Sequence, residues 1–292
     1  MKIPELKGCG TALVTPFAHD GEVDYEAFAS LVDRQVKGGV DFLVPLGTTA
    51  ETPALDHIEM VSLLEITHDH AGGRPLLVGC GSNSVGSTLA RMEMLDCAAV
   101  DAWLVVVPFY NKPTQEGMFQ YFKTIAGLSK KPIVLYNVPG RTGANMLPET
   151  CLRLAREVPG IIGVKEASGK LEQAREIIDG APADFMVLSG DDDLTIDMMK
   201  CGGRGVISVA SNIAPDKVSA MVHAMLEGRT DEAERLNEAL APLFKACFAE
   251  SNPIPAKAAL AQLGLCTDCM RLPLVPASES TRALLKEILN TE

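Results

Sequence analysis

Short apolar runs recur along the chain at residues 10–14, 41–46, 75–80, 102–107, 132–136, 161–165, 184–189 and 205–209. Each is brief and mostly rich in Val, Ile and Leu, the pattern of strands buried on both faces. The segments between them have helical spacing. Phe28, Leu31, Val32 and Val36 fall on one stripe, with Asp24 placed to cap that helix and Gly38–Gly39 to end it. Asp56 followed by Glu59 reads as a capping box, and Pro148 suits the first turn of a helix.

Eight strands alternating with helices about every thirty residues predict a (β/α)8 barrel over residues 1–228, an α/β fold. The competing architecture is an open doubly wound sheet. A dinucleotide site in such a sheet wants G-x-G-x-x-G after its first strand. Here that strand ends in Thr15-Pro16-Phe17, and the nearest match, from Gly79 to Ser84, lacks the third glycine. Residues 229–292 have no strand pattern. They read as a helical appendage packed on the barrel, with helices near 231–249, 255–263 and 279–289.

Composition narrows the class. The 292 residues are 47% hydrophobic and 22% charged, enough to bury a large core. The formal net charge is −12, with no basic stripe of the kind that grips phosphate backbones, so no nucleic-acid partner is expected. No apolar run is long enough to span a bilayer. The opening MKIPELKGCG lacks the apolar core of a signal peptide, and the cytoplasm is the expected location. Eight cysteines, most of them inside apolar runs, read as reduced thiols. Cys266 and Cys269 form C-x-x-C without a second pair or a following histidine, which reads as a reduced loop.

In a barrel of this kind, chemistry sits at the C-terminal ends of the strands. Strand two ends in Gly47-Thr48-Thr49-Ala50-Glu51, where backbone N–H groups and two hydroxyls can hold a small anion or simply make a capped turn. Strand five ends in Tyr136-Asn137-Val138-Pro139-Gly140-Arg141, a phenol that can relay protons and a guanidinium that can hold a carboxylate. Strand six ends at Lys165. Alternation places Ile161, Gly163 and Lys165 on one face, and if that face is the lumen, burial favours the neutral, nucleophilic amine. The loop after strand four, with Phe109 and Tyr110, can line a pocket or pack its rim. Asp191, Asp192 and Asp193 read as a helix start in preference to a metal site. The five histidines lie away from strand ends, and no metal is expected.

Together, the G-T-T-x-E, Y-N-V-P-x-R-T-G and G-V-K-E-A-S segments resemble the dihydrodipicolinate synthase (4-hydroxy-tetrahydrodipicolinate synthase) family, among the pyruvate-dependent class I aldolases that include N-acetylneuraminate lyase. Asn252-Pro253-Ile254-Pro255 extends the resemblance into the C-terminal helices. It implies a lyase that needs no cofactor, because Lys165 forms an imine with pyruvate. It also implies condensation with L-aspartate 4-semialdehyde in the diaminopimelate route to lysine. By that resemblance Tyr136 is the general acid–base and Thr49 and Tyr110 complete a proton relay, Tyr110 from a neighbouring subunit of a homotetramer. Thr48 and Thr49 bind the pyruvate carboxylate and Arg141 that of the second substrate, while Gly190 and Ile207 offer backbone groups. Another aldolase or dehydratase of the superfamily, acting on a different aldehyde or sugar acid, and a silent keto-acid-binding barrel are the alternatives. The chain departs from the lysine-inhibited members at Met60, Ser87 and Phe109 while keeping His57 and Asn83, which implies weak or absent inhibition by L-lysine.

Overall fold

A computed structural model describes residues 4–291; residues 1–3 and 292 of the expected segments lie outside the described part. Eight parallel strands are present: β1 Gly8–Ala12, β2 Phe42–Val44, β3 Leu77–Gly79, β4 Ala102–Val106, β5 Ile133–Asn137, β6 Ile161–Glu166, β7 Met186–Ser189 and β8 Gly205–Ser208. Their order in the sheet is β2-β1-β8-β7-β6-β5-β4-β3, and a parallel bridge between Leu43 and Leu76 joins the two ends. The sheet is therefore a (β/α)8 barrel.

The predicted caps form. Asp24 Oδ1 accepts from the Ala27 amide at 2.9 Å at the start of the helix Tyr25–Lys37. Asp56 and Glu59 make both bonds of a capping box on the helix His57–His70. Pro148 occupies the first turn of the helix Pro148–Glu157, where its missing N–H costs nothing.

Two apolar layers follow from the alternation along the strands. The outer one, between sheet and helices, includes Leu43, Val105, Leu135, Val164 and Val187. The inner one fills the lumen with Phe42, Val44, Leu104, Val134, Ile162, Leu188 and Ile207. The face expected for strand six needs a correction. Pairing with β5 runs Ile133 to Ile161 but Val134 to Gly163, so β6 carries one extra residue at Ile162. This β-bulge sends Ile161 into the outer layer and Ile162 into the lumen, while Lys165 still pairs with the lumen residue Tyr136.

Beyond the eighth unit the chain is helical. The helices Thr230–Ala246, Ile254–Gln262 and Glu279–Thr291 occupy the region expected to form an appendage. The middle one is fixed to the barrel rim by an ion pair with no solvent around it. Lys257 Nζ lies 2.8 Å from Glu51 Oε1, and both side chains are almost fully buried. The Phe17 ring packs against both this ammonium, 4.2 Å from its centroid, and the Arg271 guanidinium at 4.5 Å. Burial pushes the Lys257 ammonium down, and the neighbouring Glu51 carboxylate opposes that shift. Arg271 in turn clamps Glu59 through two hydrogen bonds of 2.7 and 2.5 Å.

Candidate active site

At the C-terminal mouth of the barrel is a small cavity lined by Thr48, Thr49, Tyr136, Arg141, Lys165 and Gly190, among others. Six of the eight residues singled out from sequence thus converge. Lys165 and Tyr136 are register partners on β6 and β5, and Lys165 Nζ lies 4.5 Å from the Tyr136 ring centroid. Both are buried, at 6% and 7% exposure. An amine in this setting is shielded from bulk water and has a phenol beside it.

Alternation turns the next residue of β6 the other way. Glu166 faces outward, where its carboxylate accepts from the Ser168 amide at 2.8 Å, Asn137 Nδ2 at 3.0 Å and Gln173 Nε2 at 3.3 Å. Burial pushes its carboxyl up, and those hydrogen bonds pull it back. Asn137 Oδ1 also accepts from the Met146 amide, so the tips of β5 and β6 share one polar network. The reactive pair therefore stands on braced strand ends.

Gly190 has a steric reason. A Cβ there would lie 2.5 Å from the Ala167 Cβ and 3.0 Å from Lys165 Cε. Only a residue without a side chain lets the lysine stem pass.

The turn after β2 is a single 3₁₀ turn, Thr48–Ala50, ended by Glu51 in the left-handed region at φ 54°. Thr49 is buried and its Oγ1 accepts from Asn252 Nδ2 at 2.9 Å. Arg141 sits in the short helix Pro139–Thr142 and donates from Nη2 to the Asn252 carbonyl at 3.2 Å. Asn252, Phe248 and Asp191 complete the wall. Phe248 and Asn252 come from the C-terminal region, so that region closes the cavity as well as covering the barrel. Nothing local in the sequence signals this. The only clue is the Asn252-Pro253 segment, recognisable by resemblance alone.

Two expected residues do not reach the cavity. Tyr110, held at φ 73° in the loop after β4, is 87% exposed and does not line it. Ile207 is fully buried in the lumen, and β8 reaches the cavity through Val209 instead. Among the described residues no group of three or more His, Cys, Asp and Glu side chains could hold a metal ion. Cys269 Sγ meets His19 Nδ1 at 3.5 Å, and neither residue lines the cavity. No helix of the described residues is long and apolar enough to cross a membrane.

Comparison with known proteins identifies the family and the fold. The sequence profile described as the dihydrodipicolinate synthetase family matches residues 5–292. The chain is 45% identical to the 4-hydroxy-tetrahydrodipicolinate synthase of Porphyromonas gingivalis, over 98% of this chain and 97% of that one. The crystal structure of dihydrodipicolinate synthase from Thermotoga maritima superposes with a TM-score of 0.95 at 43% identity, covering 98% of both chains. That of the chloride-inhibited dihydrodipicolinate synthase from Acinetobacter baumannii, complexed with pyruvate, gives a TM-score of 0.95 at 37% identity and covers 98% of both chains.

Proposed function

The chain is an enzyme of the dihydrodipicolinate synthetase family, and we propose that it condenses pyruvate with L-aspartate 4-semialdehyde through an imine on Lys165. This is the 4-hydroxy-tetrahydrodipicolinate synthase reaction, in the diaminopimelate route to lysine. The observation that carries the reading is the burial of Lys165 directly against Tyr136 at the mouth of a closed barrel.

The neutral Lys165 amine attacks C2 of pyruvate. Tyr136 passes a proton to the departing hydroxyl, water leaves and the imine forms. Loss of a C3 proton gives the enamine, whose carbon attacks the aldehyde of the second substrate. The hydroxyls of Thr48 and Thr49 hold the pyruvate carboxylate, and Arg141 holds that of the aldehyde. Both substrates are anionic while the chain carries −12, so these local donors must outweigh the long-range field, which salt screens beyond about 8 Å. Gly190 gives Lys165 room, and Ile207 supports the floor from two residues below Val209. No cofactor or metal enters the scheme.

Tyr110 supports an assembled enzyme. Its exposed ring cannot serve its own cavity, so a relay with Thr49 and Tyr136 requires it to enter a neighbour's site, as in a homotetramer built from dimers. A cytoplasmic location suits a reaction of two small soluble metabolites. The functional reading is tested by following consumption of L-aspartate 4-semialdehyde with pyruvate in the wild type and in Lys165→Ala. Turnover by the wild type that vanishes in the variant supports it; equal turnover in both contradicts it.

A further inference from the structure

The turn that carries Thr48 and Thr49 is held from outside the cavity. Thr52 Oγ1 donates to the Gly47 carbonyl at 2.8 Å, and Thr15 Oγ1 donates to the Ala50 carbonyl at 2.8 Å. The Thr48 carbonyl accepts from the Glu51 amide at 3.1 Å, and the Glu51 carbonyl from the Ala54 amide at 2.8 Å. With those carbonyls occupied, Gly47, Thr48 and Thr49 can offer the cavity N–H and O–H donors, the chemistry that suits an anion.

The corner that closes this turn is strained. Glu51 has φ 54° and ψ 33°, the left-handed region, which is costly for a residue with a Cβ. Such a conformation persists where the surroundings over-determine it. Here the side chain is the anchor, and both of its oxygens are taken. Oε1 accepts from the Lys257 ammonium at 2.8 Å and Oε2 from the Arg271 amide at 3.3 Å. Glu51 is 4% exposed and Lys257 0%. Both partners come from the region after the eighth strand, as does Asn252, which donates to Thr49 Oγ1.

Stability alone does not call for this arrangement, because well-packed apolar side chains of similar volume often do as well as a buried ion pair. Nor does charge. A carboxylate two residues from Thr49 would oppose an anionic ligand if left bare, and the Lys257 ammonium cancels it. What the pair supplies, and an apolar contact does not, is a fixed direction for the corner.

We propose that Glu51 is a positioning residue for the keto acid: its ion pair with Lys257 holds the corner that aims Thr48 and Thr49 at the pyruvate carboxylate. The helix Ile254–Gln262 thereby sets the affinity of the first half-reaction. This assignment rests on the imine-forming reading of Lys165 and extends it to the binding step before the imine. Glu51 does not itself line the cavity, and it acts through the turn alone.

The two substrates report on this separately. Pyruvate is joined to Lys165 before the aldehyde reacts, so kcat/KM for pyruvate reads the first half-reaction and kcat/KM for the aldehyde reads the second. Once the imine exists, its covalent bond retains the keto acid. A loosened turn therefore weakens the first quantity far more than the second.

The full-length wild type is compared with Glu51→Gln, Glu51→Asp and the double variant Glu51→Met with Lys257→Met. Measured are the urea midpoint, the pyruvate concentration giving half-maximal borohydride-trapped adduct on Lys165, and kcat/KM for each substrate. The double variant is expected to keep a urea midpoint near that of the wild type. It should nevertheless need about tenfold more pyruvate for half-maximal adduct, the scale of one lost hydrogen bond. Glu51→Gln separates geometry from charge. It leaves an ammonium near the site, which on charge alone would tighten pyruvate binding, whereas a slack turn weakens it; weaker binding is expected. Glu51→Asp keeps the charge but falls one methylene short, and should lie between the wild type and the double variant.

Wild-type pyruvate dependence in a folded double variant overturns the proposal, and Glu51→Asp decides in the same way should the double variant fail to fold. Tighter pyruvate binding by Glu51→Gln overturns it by leaving charge as the role of the pair. Equal losses toward both substrates overturn it by showing general disorder of the rim. A wild type that forms no adduct on Lys165 defeats the underlying reading instead, and so the two failures are distinguishable.

Discussion

Asn252 Nδ2 donates to Thr49 Oγ1 over 2.9 Å, joining residues 203 positions apart in the chain. Because Thr49 accepts this bond, its own hydroxyl proton is directed elsewhere, and the cavity is where an acceptor can meet it. Asn252→Ala removes the donor and leaves Thr49 free to rotate. A buried hydrogen bond of this kind is worth about 1–1.5 kcal/mol, so kcat/KM is expected to fall roughly tenfold, with the fold intact by circular dichroism. Unchanged kinetics would remove Asn252 from the positioning of Thr49.

The Glu51–Lys257 pair ties the cavity rim to the helix Ile254–Gln262 without solvent to screen it. Glu51→Gln strands an ammonium in the interior and is expected to cost about 3–5 kcal/mol, read from urea midpoints. The sign with pH follows from the lowered Lys257 value. Charging a buried amine opposes folding, so the loss is full at neutral pH and shrinks as alkali neutralises the amine in both states. Replacing both residues with Met should recover most of the stability. A single substitution no worse than the double one would contradict this account.

Asp191 makes the opposite kind of contribution. Its carboxyl is raised from an ordinary 3.8 to about 6 in the folded chain, so the native state holds its proton more tightly than the unfolded state does. Its contribution to stability is therefore present at low pH and is lost as pH rises through the interval between those two values. Asp191→Asn should raise the denaturant midpoint relative to wild type at about pH 7, and the difference should close near about pH 4. A variant less stable than wild type at neutral pH would show that the ionised carboxylate stabilises the fold. Stability given up at a cavity wall is what a site selected for chemistry is expected to carry.

Feedback by L-lysine should be weak. By the family resemblance read from the sequence, Ser87 and Phe109 take the places of an acid and a tyrosine of lysine-inhibited members, so a lysine ammonium would lack a carboxylate partner here. Inhibition is measured as a function of lysine concentration; a half-maximal effect at submillimolar lysine contradicts the expectation.

The eight strands were legible because a parallel strand covered on both faces leaves a continuous apolar run, and eight such runs admit few architectures. Lys165, Tyr136, Thr48, Thr49 and Arg141 were legible because the barrel places strand ends at one mouth. The bulge at Ile162 was not, since Ile161, Ile162 and Gly163 are equally apolar and alternation carries no mark of an inserted residue. Nor were the partners of the turn after β2. Asn252 and Lys257 meet Thr49 and Glu51 across more than two hundred residues, and no local spacing encodes such a contact. Tyr110 shows a related limit: the backbone at φ 73° turns its ring outward, which a loop sequence does not announce.

The central claim is that the Lys165 amine becomes covalently joined to pyruvate. The measurement is borohydride reduction of the enzyme with pyruvate, followed by peptide mass spectrometry. The account predicts one reduced pyruvate adduct, located on Lys165 and absent from Lys165→Ala. An active enzyme that yields no adduct, or one that carries it on another lysine, contradicts it.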